Sequence, residues 1–138
     1  MLKTICYISD SMNNESLKNL EDLYLKARTN NSKNNITGIL IYLDRNFLQV
    51  LEGEEEIVDD TFKKISTDSR HKNIFNIIDT TIEQRIFEDY NFGFTTINDK
   101  KELTNLVEYL NWLKNADCNC ATKVIKMVEN FITKNEQS

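Results

Sequence analysis

Apolar positions along the chain fall into short, unbroken runs that alternate with longer stretches at helical spacing. Leu2 to Ser9 (LKTICYIS) is rich in β-formers and reads as a strand. Asp10 to Asn14 is a polar break in which Asn13 or Asn14 can cap a helix, and Leu17, Leu20, Tyr24 and Ala27 then recur at helical spacing. Thr29 to Asn35 (TNNSKNN) predicts a loop, because asparagine tolerates left-handed backbone geometry. Ile36 to Leu43 (ITGILIYL) and Phe47 to Leu51 (FLQVL) predict a hairpin across Asp44-Arg45-Asn46. Glu54-Glu55-Glu56 opens a second helix as a solvated acidic start, suited to the positive end of the helix dipole. Ile57, Val58, Phe62 and Ile65 form its apolar stripe. After a polar stretch from Asp68 to Asn73, Ile74 to Ile82 and Phe92 to Ile97 predict two more strands. Leu103 to Lys114 and Ala121 to Lys134 predict two terminal helices. Their stripes are Leu103, Leu106, Val107, Leu110 and Leu113, then Val124, Ile125, Val128, Phe131 and Ile132.

The order βαββαββ followed by αα predicts one mixed sheet with two helices on one face, a ferredoxin-like α/β sandwich. If the strands flanking the first helix are parallel, that crossover is right-handed. The terminal helices carry apolar faces of their own, so they must cover the open face of the sheet or bind another chain. This divides the chain into a unit at residues 1–97 and a helical pair at 98–138. No linker rich in Pro, Gly or Ser, no repeat and no low-complexity tract interrupts it.

Composition narrows the function. At 138 residues with 40% hydrophobic content, the chain suits one folded unit able to bury a core without disulfides or metals. Seventeen basic residues against 22 acidic ones, with no dense basic cluster, argue against nucleic acid as a partner. No apolar run is long enough to span a membrane, and the N-terminus lacks a signal-peptide pattern. Three cysteines, Cys6, Cys118 and Cys120, leave an odd number that reads as reduced, inert thiols in a cytoplasm. Cys118-Asn119-Cys120 lacks the further ligands a structural zinc needs. There is one histidine, His71, and no dinucleotide, phosphate-loop, nucleophile-elbow or zinc-protease motif. What remains is a site in which a bound cofactor carries the chemistry.

Three features stand out. Gly38 lies inside a strand, Gly53 ends one and Gly93 sits in another. A glycine within a strand marks a bulge or a close approach by a ligand or another backbone. Gln49 interrupts an apolar strand and must face water or find a hydrogen bond inside. Tyr7, in the first strand, carries a hydroxyl that needs a partner when buried. Taken singly, each has a bland reading: an outward-facing amide, a half-buried core tyrosine, a loop asparagine pair.

Taken together, they follow a known order. Tyr7, Arg28-Thr29-Asn30-Asn31, Ile36-Thr37-Gly38-Ile39-Leu40, Phe47-Leu48-Gln49-Val50-Leu51-Glu52-Gly53 and Asp68-Ser69-Arg70-His71 succeed one another along the chain. Over residues 1–97 this resembles a BLUF domain, the blue-light sensor that binds flavin. The resemblance implies a ferredoxin-like sandwich holding a flavin, FAD or alternatively FMN, between the two helices on the sheet. It implies that Tyr7 is the photoactive tyrosine and that Gln49 lies between it and flavin N5/C4=O. Asn31 then bonds the polar edge of the ring system, with Asn30 beside it. Asp68 and His71 lie toward the ribityl and phosphate side, and Lys64 stands where the family often has arginine.

The implied mechanism moves an electron and a proton out of Tyr7 on illumination, with Gln49 relaying the proton. Gln49 ends rotated or tautomerised, bonded more strongly to C4=O, and the fifth strand and terminal helices carry the signal onward. With no output domain of its own, such a protein would act on a separate signalling protein or through a homo-oligomer, and not as an enzyme. The sequence departs from the pattern in the fifth strand, where Tyr90 and Phe92 replace the family's common Trp and Met. The departure puts the lit-state lifetime and the relay route in question. It keeps open a second reading, a non-photoactive flavin-binding or interaction module on the same fold. A small ferredoxin-like transferase ranks last, since Asp10 to Asn14 supplies no Lys or Arg for an anion. Trp112 reads as a packing residue of the terminal helices.

Overall fold

A computed structural model describes residues 1–11, 17–43, 46–67, 71–87, 94–97, 100–115 and 122–136. The elements are β1 (Leu2–Ser11), α1 (Leu17–Lys33), β2 (Thr37–Leu43), β3 (Asn46–Glu54), α2 (Glu55–Ser66), β4 (His71–Ile82), β5 (Phe94–Ile97), α3 (Lys100–Asn115) and α4 (Thr122–Glu136). Five strands form one sheet in the order β4-β1-β3-β2-β5. β1 pairs antiparallel with both β3 and β4, β2 antiparallel with β3, and β2 parallel with β5. This is the mixed, ferredoxin-like sheet that the apolar pattern predicts.

The inner strands are apolar on both faces because both faces are covered. Side chains alternate along a strand. Ile5, Tyr7, Leu40, Phe47 and Leu51 therefore join Val58 of α2 in one core, with Ala27 of α1 and Phe62 and Ile65 of α2 packed against it. Cys6, Ile39, Ile41, Leu48, Val50 and Ile78 point the other way. They share a second, larger core with Leu103, Leu106, Leu110 and Leu113 of α3 and Val124, Ile125, Val128, Phe131 and Ile132 of α4. The apolar stripes read for both terminal helices are thus the faces that α3 and α4 bury. Gly38 lets β2 lie close against β3: its φ is +143°, and a Cβ there would sit 1.9 Å from the Val50 carbonyl oxygen.

The structure corrects several element boundaries and side-chain placements. Thr29 to Lys33 is helical, not loop, because α1 continues to Lys33 and ends where Asn35 turns left-handed at φ 57°. The Ile36 N–H then closes onto the Asn31 carbonyl at 2.8 Å. β3 runs past Leu51 to Glu54, and β4 begins at His71, earlier than its apolar run. Ile57 is 37% exposed, and Trp112 is 63% exposed and stacks on Tyr109 of the same helix. The predicted Asn13 or Asn14 cap, Asp44-Arg45, Tyr90 to Gly93, Cys118 and Cys120 lie outside the described residues.

Candidate functional site

The pairing of β1 with β3 sets Tyr7 directly opposite Gln49. Both point to the face that carries α1 and α2, since Ile5, Tyr7, Phe47, Gln49 and Leu51 share one alternation phase. Tyr7 is fully buried and Gln49 is 3% exposed. The Tyr7 hydroxyl donates a hydrogen bond to Gln49 Oε1. Phe62 of α2 packs on the Tyr7 ring, with centroids 5.5 Å apart. The β1–β4 register shifts between Cys6 and Tyr7, a bulge that places Asn76 beside Tyr7 on its other side.

Tyr7 engages the Gln49 amide at its oxygen, and a primary amide carries two N–H donors besides. Asn31 is a second buried amide, near the end of α1. Asn30, next to it, is exposed. Lys64 is exposed in the last turn of α2 and lines an open cleft of about 330 Å³ with Asp60, Lys63 and Thr67. The backbone of His71 starts β4, Asp68 lies outside the described residues, and the His71 side chain is not described. The fold therefore joins Tyr7 to Gln49 by a hydrogen bond and buries Asn31. Asn30 and Lys64 lie on the surface.

Around this pair the chemistry is quiet. Burial pushes the Cys6 thiol up to about 12, so it is neither a nucleophile nor a ready metal ligand. Among the described residues no group of His, Cys, Asp and Glu side chains could hold a metal ion. A hydrogen-bonded phenol and amide, enclosed in an apolar core, can exchange a proton and reorient.

A sequence profile described as "BLUF: Sensors of blue-light using FAD" matches residues 2–93. The chain belongs to the BLUF family. Among proteins of known function, a BLUF relative is the blue light- and temperature-regulated antirepressor BluF of Escherichia coli K12. It is 36% identical over 78 residues, which is 56% of this chain and 19% of that protein. The chain thus spans about a fifth of that relative's length. Among solved structures, the BlsA photo-activated state superposes with a TM-score of 0.63 at 35% identity and covers 77% of each chain. A bacterial light-regulated adenylyl cyclase superposes at 0.67 with 34% identity, covering 85% of this chain and 35% of that one.

A BLUF domain uses a flavin, and the residues here fit one. A flavin's ring system is a flat apolar body with a polar edge. Two buried amides, Gln49 and Asn31, have the chemistry such an edge would need, and the core residues around Tyr7 are the apolar surroundings such a body would need.

One part of this neighbourhood escaped the reading of the sequence. Glu52, three residues after Gln49, is a fully buried carboxylate on the opposite face of β3. It accepts from Thr37 Oγ1 at 2.7 Å, from the Ile86 N–H at 2.8 Å and from the Phe87 N–H at 2.7 Å. Arg85 donates to the carbonyls of Asn35 (2.8 Å) and Glu52 (3.3 Å) and to Thr37 Oγ1 (3.1 Å). Burial raises the Glu52 carboxyl above the usual carboxylate range, against the opposing pull of these hydrogen bonds and of the Arg85 charge. The only sequence signal for it was an acidic residue continuing the phase of Leu48 and Val50 in a strand buried on both sides.

Proposed function

We propose that this chain senses blue light through a bound flavin and signals by rearranging the Tyr7–Gln49 hydrogen bond. The observation that carries the reading is that bond: a buried phenol donating to a buried amide at paired positions of β1 and β3. Asn31 and Gln49 would hold the polar edge of the ring system, with Asn30 beside them, and Lys64, Asp68 and His71 would lie toward the phosphates. When bound, the flavin supplies blue-light absorption and a reversible electron acceptor.

The chain's own residues supply the rest. One-electron oxidation makes the Tyr7 hydroxyl strongly acidic, and Gln49 Oε1 is the atom that already accepts its hydrogen bond. An amide has a donor end and an acceptor end, so a rotated or tautomerised Gln49 presents a different pattern to its neighbours. In a water-poor core that difference is large enough to bias a packed element.

FAD is the cofactor we favour, on the family's description. A solved relative, BlrP1 at 27% identity, was determined with FMN and cyclic diGMP, and the two flavins share the ring system that Gln49 and Asn31 would meet. Extraction of the cofactor and chromatography against both standards separates them. Residues 1–97 form the sensing unit in this reading. Residues 98–138 pass the signal to a separate signalling protein or to a second copy, in the cytoplasm and without enzymatic activity of their own.

An absorption spectrum in the dark and then under blue light tests the reading. A flavin spectrum that shifts slightly to the red and recovers thermally is expected. Gln49→Leu and Tyr7→Phe should keep the flavin and lose the shift; a normal photocycle in either variant would overturn the mechanism. A flavin spectrum that stays put in the wild type would point to a non-photoactive module.

A further inference from the structure

The connection from β4 to β5 is gripped from two sides. From the sheet, the Glu52 carboxylate of β3 accepts the N–H groups of Ile86 and Phe87 at 2.8 and 2.7 Å. From the helical layer, Tyr109 of α3 donates its hydroxyl to the Ile86 carbonyl at 2.6 Å. Ile86 therefore bonds the sheet through its N–H and α3 through its carbonyl. Both Ile86 and Phe87 are buried, and the Phe87 ring lies 6.0 Å from that of Tyr109. Tyr109 in turn stacks on Trp112, with centroids 5.9 Å apart and planes inclined by 25°.

We propose that the Glu52–Ile86–Tyr109 bridge is the joint that couples the photoactive strand β3 to the terminal helix α3, with Glu52 and Tyr109 as positioning residues. The proposal rests on the photoreceptor reading of Tyr7 and Gln49. Gln49 and Glu52 share β3 but face opposite sides of the sheet, so the strand carries displacement from the flavin-facing side to the helical side. Both carboxyl oxygens of this buried group accept, Oε1 from Thr37 and Phe87 and Oε2 from Ile86. Its partners cannot exchange it for water, so residues 85–87 must move with β3. The Tyr109 hydroxyl then ties that movement to α3. An amide at position 52 would turn an NH2 donor onto one of those donors, so the geometry requires a carboxyl group there.

The test uses the flavin-loaded full chain and two readouts. One is the flavin red shift under blue light. The other is the light-minus-dark difference in hydrogen exchange over residues 100–115, together with the emission of Trp112, the sole tryptophan. Tyr109→Phe keeps the ring contacts and removes only the hydroxyl. It should leave the flavin shift intact while reducing the α3 difference by about five-fold or more, the lower end of usual coupling factors. Glu52→Gln should do the same, and if it does not fold, Tyr109→Phe decides alone. An undiminished α3 difference in Tyr109→Phe overturns the proposal. So does a wild type whose flavin shifts with no change in α3, which leaves the photoreceptor reading standing. A wild type with no flavin shift removes the photoreceptor reading and this proposal with it.

Discussion

Gln49 and Glu52 are both polar residues in an apolar strand, yet the sequence displayed only one of them as a site. Gln49 stood out because an amide amid Phe47, Leu48, Val50 and Leu51 must face water or find a hydrogen bond inside, and because it falls in a motif order that the family shares. Glu52 merged with the acidic residues that begin α2, and its donors come from residues 34 and 35 positions downstream. No local pattern announces such a contact. Glu52 also makes a pH prediction. Its folded-state pKa is raised, so its favourable contribution is fully present below the unfolded carboxylate value of about 4.3 and is lost as pH rises through the folded value. The groups facing it are Thr37, Arg85 and the Ile86 and Phe87 amides. The stability of the wild type relative to Glu52→Gln should therefore fall as pH rises above the unfolded carboxylate value of about 4.3, as measured by urea unfolding across a pH series. A relative stability that rises with pH would mean that the three donors and Arg85 outweigh burial.

At the scale of elements, two tight contacts set the geometry around the site. Gly38 lets β2 lie against β3, and the atom a Cβ would strike is backbone, which has no rotamer into which to retreat. Gly38→Ala should cost about 3 kcal/mol or more and lower the melting temperature by roughly 10 °C, measured by calorimetry or circular dichroism. Lys3 of β1 bonds Asp59 of α2 at 2.6 Å and Asp79 of β4 at 2.7 Å, pinning the helix over the sheet edge. Both aspartates are nearly half exposed, so the effect is modest. Lys3→Met should cost about 1 kcal/mol at low ionic strength and less in high salt, read from urea midpoints with and without salt. The glycine was legible from its place inside an apolar strand. The ion pairs were not, because three elements distant in sequence contribute one charge each. The extension of α1 through Thr29 to Lys33 was missed for a related reason. Asparagine-rich tails are poor helix formers, and the stop is supplied by Asn35 turning left-handed at the helix end.

At the scale of the molecule, one sheet serves two cores. The face toward α1 and α2 encloses the Tyr7–Gln49 pair, and the other is covered by α3 and α4. A chain ending at residue 97 would open Cys6, Ile39, Ile41, Leu48, Val50 and Ile78 to water. It should aggregate or bind a hydrophobic dye, measured by light scattering and dye fluorescence against the full chain. A soluble, monomeric truncation with full thermal stability would show that α3 and α4 contribute little to the core. No described helix is long and apolar enough to cross a membrane.

The sequence by itself determined the order of elements, the mixed ferredoxin-like sheet, the buried stripes of α3 and α4, and the candidate pair Tyr7 and Gln49. These follow from periodicity, from apolar strands interrupted by single polar residues, and from a motif order that the family shares. The tertiary structure decided which residues meet across the chain. Strand register placed Tyr7 opposite Gln49, and two-sided burial gave Glu52 its partners on the β4 to β5 connection. Packing left Trp112 exposed and stacked on Tyr109. Each depends on distances closed between segments tens of residues apart, and periodicity within a segment carries no information about which distant segment will arrive.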